Sequence, residues 1–492
     1  MIDPVRVRYA PSPTGNPHVG NIRTAIFNWL FAKHFGGVFV LRIEDTDQNR
    51  KVDGALENIL ESLRWLELDW DEGPEVGGSY GSYFQSERLE IYKEYSEQLL
   101  SSGQAYKCYC SPDRLKEMRD KQQHLKQSIG YDGLCRTEKG RDQAMKLFSS
   151  RPVLRFKTPS VGQSTFIDSI RGQVYFENSL MDDFVILKSD GYPTYHMANV
   201  IDDHLMGITH VLRADEWLSS GSKHLMLYKA FSWPPPIFAH LPIILGNDRS
   251  KLSKRHGAVS ILEYRNQGFL PDVMLNFLAL LGWSIDDKTE IISRDDLIRQ
   301  FSIERIGKSG AIFDQEKLEW MNGFYIRTLS TNKLTEIVAS FIEKATPIDL
   351  RLPVDRKYLQ KITPLIQERL KTLSEAPDIT EFFFKEELIY DVKELVKVGL
   401  NSKEIQSTLP EILRDLQVLD RFEPQSVENL LRSCAEKFNL KPGLLFRCLR
   451  LICTGRQVSP PLFETMSVIG RRRCVNRMSA VIKLLSEIDS GR

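Results

Sequence analysis

The chain has 492 residues, which is too long for a single hydrophobic core and predicts several domains. Hydrophobic residues make up 42% and charged residues 27% of the sequence, as is ordinary for soluble globular proteins. The formal net charge of +1 excludes a strong overall positive field, so any contact with nucleic acid must come from local patches such as Arg471, Arg472 and Arg473.

No segment of the sequence has the pattern of a targeting or membrane-spanning element. The first residues, MIDPVRVRYA, lack the apolar stretch of a secretory signal. The most apolar later stretch, GFLPDVMLNFLALLGW, is interrupted by Asp272 and Asn276 and is too short to span a bilayer. Seven cysteines in so long a chain do not make a disulfide framework. We therefore expect a reduced, cytoplasmic protein that does not bind a membrane.

The first predicted elements are a strand, a helix and a second strand. Residues 5–9 alternate between apolar and other side chains, which predicts a short strand. Residues 22–30 carry apolar side chains at helical spacing, and Gly36 and Gly37 supply the stop. Residues 38–41, VFVL, predict a buried strand. This βαβ unit implies a parallel sheet with ligands at the carboxyl ends of its strands.

The loop after the first strand, APSPTGNPHVGN, is the first candidate binding element. Gly15 and Gly20 have four residues between them, as in a P-loop, but Asn21 follows where a lysine should stand. The prolines stiffen the loop and leave the hydroxyls of Ser12 and Thr14 free.

The end of the same loop is suited to phosphate. His18, just ahead of the helix, can donate to phosphate oxygens with help from the helix N-terminus. Gly20 lets a flat base or ribose approach the backbone closely. The alternative is a tight turn with an incidental histidine.

A second block of strand and helix follows after more than a hundred residues. Residues 211–213 end a predicted strand, and a helix is predicted from about 222 to 231. The intervening sequence contains CYC at 108–110 and β-rich pieces such as VLRFKTP, which predicts an inserted domain that splits the sheet. After residue 261 the strand signals largely stop, and residues 330–492 predict successive amphipathic helices.

A strongly cationic segment, GNDRSKLSKRHG, occupies residues 246–257. Lys251 and Lys254 are three residues apart and can reach a triphosphate together. They would neutralise the charge that develops when an α-phosphate is attacked and pyrophosphate leaves. The alternative is a solvated basic surface loop.

Two of these segments, HVGN at 18–21 and KLSKR at 251–255, resemble the signature motifs of class I aminoacyl-tRNA synthetases. Longer strings, in the same order from end to end, are similar to bacterial glutamyl-tRNA synthetases: RYAPSPTGNPHVGNIRTA, LRIEDTD, YPTYHMANVIDDH, VLRADEWL, FDQEKLEWMNGFYI and VSPPLFETM. The resemblance implies a monomer that activates L-glutamate with ATP and Mg²⁺ and transfers it to the terminal adenosine of tRNA-Glu. Charging of tRNA-Gln in addition stays open.

The resemblance also implies the fold class. We expect an α/β Rossmann-like class I synthetase catalytic domain split by an α+β insertion, followed by a helical stem-contact region and an all-α anticodon-binding region. The expected catalytic halves are residues 1–90 and 197–250, around an inserted connective and acceptor-binding domain at 91–196. A signature-loop and stem-contact domain is expected at 251–330, and the anticodon-binding region at 331–492.

A glutamate site must bind two carboxylates and an ammonium. The positions that match the family's glutamate contacts are Arg8, Ser12, Glu44, Tyr195, Asn199 and Arg213. Arg8 and Arg213 end strands at one edge of the sheet, and Glu44 is the natural partner for the ammonium. The alternative is that Arg8 and Glu44 pair with each other.

The matching ATP contacts are Thr14, His18, Gly20, Glu216, Trp217 and Lys254. The resemblance assigns catalysis to His18, Lys251 and Lys254, whereas Trp217 has core packing as its alternative. No carboxylate cluster in the sequence identifies itself as the Mg²⁺ ligand. No covalent enzyme intermediate is needed, so positioning and charge stabilisation should supply most of the acceleration.

The cysteines Cys108, Cys110 and Cys135 have the spacing C-x-C-x₂₄-C and suggest a structural zinc site, which needs a fourth ligand. Some relatives place a histidine where Thr137 stands, and others use a tyrosine at the position of Tyr131. Three free thiols are the alternative. The other four cysteines lie in predicted helices without ligand spacing, where packing explains them.

Four other functions compete with the synthetase. A small-molecule nucleotidyltransferase would not need the inserted domain or the helical C-terminal region. The truncated enzyme that glutamylates a tRNA base lacks that region, and glutaminyl-tRNA synthetase has a β-barrel there. A non-enzymatic tRNA-binding protein would be expected to have lost His18 or Lys254.

Overall fold

The computed structural model describes residues 4–148, 150–253, 255, 260–345, 352–391 and 402–489. In that part of the chain, no helix combines the length and the apolar character needed to cross a membrane. The chain divides into two compact units. The first is Met1–Arg265 with Pro271–Gln315, and the second is Asn266–Leu270 with Glu316–Arg492.

The first unit contains strands and helices in alternation. Its strands are β1 Arg6–Tyr9, β2 Val38–Leu41, β3 Ala105–Cys108, β4 Val153–Phe156, β5 Gln163–Asp168, β6 Gly172–Glu177, β7 Val185–Leu187, β8 His210–Ala214, β9 Ile237–Leu241, β10 Ile244–Leu245 and β11 Ala311–Ile312. The helices that begin in it before residue 310 are α1 Val19–His34, α2 Ala55–Trp65, α3 Leu89–Ser101, α4 Pro112–His124, α5 Glu138–Phe148, α6 Tyr195–Leu205, α7 Gly221–Ala230, α8 Ile261–Asn266, α9 Pro271–Leu280 and α10 Arg294–Gln300.

The predicted βαβ unit is confirmed. β1 pairs with β2 in parallel, from Arg6 opposite Val38 to Tyr9 opposite Leu41, and α1 connects them. Gly36 ends the helix with a φ of 58°, a conformation that favours glycine. All four residues of β1 are buried, including both arginines. The alternation of residues 5–9 therefore does not mark one solvent-exposed and one buried face, because both faces of a parallel strand are covered.

The second strand block is also present, and it joins a larger sheet. β8 pairs in parallel with β9, and β9 pairs with β5 at one position, so the four-stranded order is β6-β5-β9-β8. Thr209, just before β8, donates its backbone N–H to the carbonyl of Arg6, which sets β8 beside β1. The carboxyl ends of β1, β2 and β8 therefore meet, as the parallel arrangement requires.

The inserted segment divides its strands between two sheets. β3, β4 and β7 form their own antiparallel sheet, whereas the hairpin of β5 and β6 joins β9 through Asp168 opposite Phe238. Strand signals do not stop completely after residue 261, since β11 pairs in parallel with β10. The short length of β11, two residues, explains why it gives no pattern in the sequence.

From residue 315 onward the elements longer than a single short turn are helices in the described residues. They are α11 Gln315–Thr328, α12 Thr331–Ala345, α13 Arg356–Gln367, α14 Ala376–Phe384, α15 Ser402–Val418, α16 Pro424–Lys437, α17 Pro442–Thr454, α18 Leu462–Ile469 and α19 Arg471–Asp489. Their apolar faces pack together and bury the remaining cysteines, Cys434, Cys448, Cys453 and Cys474, as the packing interpretation predicted.

The three consecutive arginines at the start of α19 are occupied by protein groups. Arg471 donates to the backbone carbonyl of Gln417, in the last turn of α15, and to that of Leu419, just after the helix. Arg472 and Arg473 both donate to the carboxylate of Glu386 at 2.9 Å. All three arginines thus have acceptors within the fold, but the side chain of Arg472 is 69% exposed, so contact of this patch with nucleic acid stays a prediction.

Candidate active site

Five of the six predicted glutamate contacts meet around the carboxyl ends of β1, β2 and β8. Asn199 on α6 donates from Nδ2 to Oε1 of Glu44 at 2.9 Å. Tyr195, one turn earlier on the same helix, accepts from Nη1 of Arg213 at 3.2 Å. Arg8 faces the same helix, because it donates to Asp203 two turns after Tyr195. The sixth residue, Ser12, is exposed in the loop after β1.

Arg8 and Glu44 do not pair with each other, so that alternative is wrong. Arg8 makes two hydrogen bonds to the carboxylate of Asp203, at 3.0 and 3.3 Å. Glu44 instead accepts from Nη2 of Arg42 at 3.2 Å. Arg42 also lies 2.8 Å from Asp203, so the two acids and two arginines form one buried network.

Sequence reasoning missed Asp203 and Arg42. Asp203 follows Asn199 by four residues and therefore lies on the same face of α6. That spacing, polar residues at i and i+4 on an otherwise buried helix, was the available signal. Burial alone would raise the pKa of Asp203, but Arg8 and Arg42 together hold it below its usual range.

Glu44 is the acid in this network whose charge is least compensated. Burial raises its pKa above the ordinary value, and the charge of Arg42 and the hydrogen bond from Asn199 offset that only in part. The Oδ1 atom of Asn199 is buried and has no hydrogen-bond partner among the described residues. A carboxylate and an amide oxygen side by side are the acceptors that an ammonium group needs.

Arg213 is buried, with 4% of its surface exposed, and its donors point to uncharged groups. Nε donates to Nε2 of His240 at 3.0 Å, and Nη1 donates to Nδ1 of His224 at 3.3 Å as well as to Tyr195. Nη2 donates to the backbone carbonyl of Trp217 at 3.2 Å. No carboxylate in the described ranges lies within 4.0 Å of this guanidinium, in contrast to Arg8 and its partner Asp203. A buried cation without a counter-ion is a site for an anion.

His18 forms the start of α1. It is the N-cap residue, and its Nδ1 accepts the backbone N–H of Gly20 at 3.1 Å. The other ring nitrogen, Nε2, must then carry the proton when the ring is neutral. A Cβ at position 20 would lie 2.9 Å from Cε1 of His18, so the glycine makes room for the histidine ring. His18 is exposed, which leaves Nε2–H available to a ligand.

The cationic segment lies close to His18, since, in addition to burial, the charge of Lys251 acts to lower the pKa of that histidine and the chain just after the segment contacts it. Ser260 forms a β-bridge with His18, and Lys251 forms one with Leu245 at the end of β10. The ammonium of Lys251 pairs with the carboxylate of Glu216. Lys254 lies outside the described residues. Lys251 thus has a partner that also matches the ATP site, but 64% of its side chain is exposed, so its contact with a triphosphate stays a prediction.

Trp217 is not a core residue. Its surface is 38% exposed, and its ring lies 4.4 Å from the ring of Tyr195, measured between centroids. Thr14 is half-buried in the proline loop. An exposed indole packed against the ring of Tyr195 offers a flat surface to a nucleotide base.

The zinc candidate is a compact set of four donors. Cys108 Sγ lies 3.4 Å and Cys110 Sγ 3.6 Å from Oη of Tyr131, and Cys110 Sγ lies 3.7 Å from Cys135 Sγ. The three cysteines are buried and their sulfurs lie within 4.8 Å of one another. Zinc with sulfur at about 2.3 Å and oxygen at about 2.0 Å puts tetrahedral ligand atoms about 3.5–3.8 Å apart.

The surroundings of this set are also suited to zinc with anionic ligands. The guanidinium of Arg155 stacks on the ring of Tyr131 at 3.9 Å, and Nη1 of Arg114 lies 3.6 Å from Cys110 Sγ. Thr137 instead accepts the backbone N–H of Gly140 at 3.2 Å, which is a structural contact. Three thiols and a phenol thus fit a zinc ion.

Comparison with known proteins identifies the family. The family model described as tRNA synthetases class I (E and Q), catalytic domain, matches residues 4–320, and an anticodon binding domain model matches residues 334–482. A glutamate–tRNA ligase of Dehalococcoides mccartyi strain 195 is 54% identical over 490 residues, which is 100% of both chains. The chain belongs to the glutamate–tRNA ligase family.

Other glutamate–tRNA ligases show the same extent of similarity. The protein of Roseiflexus castenholzii is 45% identical and covers 98% of this chain and 97% of its own. A crystal structure of a glutamate tRNA ligase from Elizabethkingia meningosepticum, in complex with its amino acid, matches with a TM-score of 0.88 and 34% identity. That match covers 98% of this chain and 100% of the solved one. The resemblance in the sequence and the expected fold class are confirmed, and so is the assignment as an enzyme that joins glutamate to tRNA with the use of ATP and Mg²⁺.

Proposed function

We propose that this glutamate–tRNA ligase binds L-glutamate between Glu44 and Arg213, activates it with ATP and transfers it to the 3′-terminal adenosine of tRNA-Glu. The proposal includes action as a cytoplasmic monomer. The observation that carries the amino-acid assignment is the buried, uncompensated guanidinium of Arg213, which lies beside the hydroxyl of Tyr195.

In this proposal the α-ammonium of glutamate binds at Glu44. Oδ1 of Asn199 accepts a second ammonium proton, since that atom is buried and lacks a partner among the described residues. The raised pKa of Glu44 indicates that its negative charge is not fully balanced by the protein, and the substrate ammonium supplies the missing positive charge. Arg8 and Ser12 complete the α-amino-acid side of the site.

The side-chain carboxylate of the substrate binds Arg213. Nη2 has one N–H left after its bond to the carbonyl of Trp217, and Tyr195 can donate its hydroxyl proton because its oxygen already accepts from Nη1. Two donors from one positively charged cluster match a carboxylate. Glutamine would present an amide there and leave the guanidinium unpaired.

Adenylate formation then needs charge neutralisation more than covalent chemistry. The α-carboxylate of glutamate attacks the α-phosphate of ATP, and pyrophosphate leaves. His18 donates from Nε2 to a phosphate oxygen, and Lys251 exchanges the carboxylate of Glu216 for the departing phosphates. Thr14, Gly20, Trp217 and Lys254 complete the proposed ATP site. The ribose hydroxyl of the terminal adenosine finally attacks the carbonyl carbon of the adenylate, the ester forms with loss of the hydroxyl proton, and AMP leaves.

Aminoacylation with labelled amino acids tests this function. We expect purified tRNA-Glu to acquire label from glutamate and none from glutamine, in a reaction that requires ATP and Mg²⁺. Purified tRNA-Gln in a parallel reaction decides the alternative that the sequence leaves open. A protein that binds ATP but fails to charge tRNA-Glu with glutamate would contradict the proposal.

We also propose that Cys108, Cys110, Tyr131 and Cys135 hold a structural zinc ion. We expect about one zinc per chain in protein purified without chelator. Cys135→Ser should lose the metal and unfold at a lower temperature, because binding free energy of such an ion is folding free energy. Elemental analysis and thermal melts measure both effects.

Cys448→Ser is the matched control for the zinc experiment. Cys448 is an equally buried thiol in α17 and is not one of the proposed zinc ligands, so its variant should keep the metal. Wild-type protein without stoichiometric zinc, or equal zinc content in both variants, would disprove the site.

A further inference from the structure

A buried chain of hydrogen bonds runs through Arg213 and continues behind it. On one side, Nε of Arg213 donates to Nε2 of His240, and Nδ1 of His240 lies 2.6 Å from Oδ2 of Asp168. On the other side, Nη1 donates to Nδ1 of His224, whose Nε2 lies 3.2 Å from Nδ1 of His196. Three members of this chain are almost fully buried, with at most 1% of their surface exposed: Asp168, His240 and His224.

The arginine fixes the tautomer of His240. A guanidinium nitrogen can only donate, so Nε2 of His240 must accept and the ring proton must be on Nδ1, where it is donated to Asp168. Burial lowers the pKa of His240, and the charge of Arg213 lowers it further, although Asp168 opposes both effects. His240 is therefore a neutral imidazole that transmits orientation between a carboxylate and a guanidinium.

Asp168 is held in place by the backbone at the end of β5. Its Oδ1 accepts the N–H groups of Ile170 at 3.0 Å and Arg171 at 2.8 Å, and its Oδ2 accepts the N–H of His240 at 3.1 Å. The carboxylate thus has one orientation. It is positioned by the β5–β6 hairpin, which belongs to the inserted segment and not to the strands that carry the glutamate contacts.

On the other side of Arg213 the hydrogen bonds run in the same direction, away from the arginine, through His224 to His196. Nδ1 of His224 accepts from Arg213, so its proton is on Nε2 and is donated to His196. Burial lowers the pKa of His224 well below its ordinary value and that of His196 to about 3. Arg213 is therefore held on both sides by neutral rings.

We propose that Asp168 and His240 are positioning residues that hold Arg213 for the substrate side-chain carboxylate without cancelling its charge. A carboxylate in direct contact would orient the guanidinium equally well, but it would neutralise the charge that the substrate needs. With one neutral imidazole between them, Asp168 can orient the guanidinium of Arg213 without neutralising its charge. The inference rests on the proposed role of Arg213 in glutamate binding.

Asp168→Asn tests the chain with almost no change of shape. The two backbone N–H groups at Oδ1 require an oxygen there, so the new NH₂ replaces Oδ2 and donates to Nδ1 of His240. The backbone N–H of His240 loses its contact with Oδ2 and keeps the one with Oδ1 at 3.3 Å. That contact forces the proton of His240 onto Nε2, which then meets the Nε–H of Arg213, donor against donor. We expect the KM for glutamate to rise about 10- to 100-fold, as for a lost hydrogen bond to a charged group. The kcat at saturating glutamate should change less than about threefold.

Two further variants make the result specific. Asp183→Asn is the control, because Asp183 is also buried and hydrogen-bonded, to Tyr106, Thr158 and Arg136, but does not contact Arg213. His240→Asn keeps a donor for Asp168 but removes the acceptor of Arg213, together with the ring that packs near Phe166 and Phe238. It should raise the glutamate KM by a similar factor even if the first variant folds poorly.

The tautomer itself can be observed independently of activity. In protein labelled with ¹⁵N-histidine, we expect the resonance that His240→Asn removes to show a protonated Nδ1 in the wild type and a protonated Nε2 in Asp168→Asn. A reversed tautomer with an unchanged glutamate KM would overturn the positioning role, and so would an equal KM increase in Asp183→Asn. If Arg213→Ala itself leaves the glutamate KM unchanged, the proposed glutamate site fails instead.

Discussion

Replacement of Arg213 by alanine is expected to lower glutamate activation by about 10²–10⁴-fold and to leave the fold intact. The factor corresponds to the roughly 3–5 kcal/mol that separates a paired from an unpaired buried charge. The substitution should be tolerated structurally because the partners of Arg213 are neutral side chains and one backbone carbonyl. Pyrophosphate exchange at varied glutamate, with tRNA present, measures the loss, and thermal melts monitor the fold.

Arg213→Lys is the informative companion of that variant. Lysine keeps the positive charge but lacks the planar fork that contacts His240 and Tyr195 at once. We expect activity between that of the wild type and that of the alanine variant, with weaker discrimination against glutamine. Exchange kinetics of Arg213→Ala that match the wild type would refute the assignment of this residue to the substrate.

His18→Asn is expected to lower kcat by about 10²–10³-fold, the usual effect of removing one donor that stabilises transition-state charge. Asparagine is among the best N-cap residues, so it can replace the contact that Nδ1 of His18 makes with the N–H of Gly20. It cannot replace the Nε2–H donor. The variant therefore separates catalysis from helix capping, with single-turnover adenylate formation as the measurement.

His18→Ala serves as the comparison for the capping contribution. It should show the same loss of kcat and, in addition, a loss of about 0.5–2 kcal/mol in unfolding free energy, because α1 loses its cap. Equal stability of the two variants would mean that the cap contributes little. Wild-type kcat in His18→Asn would remove His18 from the catalytic residues.

Much of this molecule is determined by local sequence. The strand, helix and strand of residues 6–41 follow from apolar spacing and from Gly36, and the structure has them within three residues of the predicted start. The proline loop, the spacing of the cysteines and the two signature segments are also local patterns. Local patterns suffice where a few neighbouring residues define both the conformation and the chemical groups.

Tertiary structure decided most partners of the buried charges, although Arg42 and Glu44 pair two residues apart. Arg8 pairs with Asp203 and Asn199 with Glu44 across 195 and 155 residues of sequence, and no local pattern specifies such pairs. Arg471–Arg473 are three consecutive charges in the sequence, and only the fold brings Glu386 and backbone carbonyls to them. The sequence does not show what surrounds a charged side chain, and its function depends on whether the fold supplies a counter-ion.

Arg213 shows this division most clearly. The sequence marks it as an arginine at a strand end, which holds equally for Arg8. Only the packing of β5, β9 and α7 around it gives Arg213 two imidazoles where Arg8 has a carboxylate. Sequence determined the fold class and the family, whereas the tertiary structure determined which of the two buried arginines keeps a charge for the substrate.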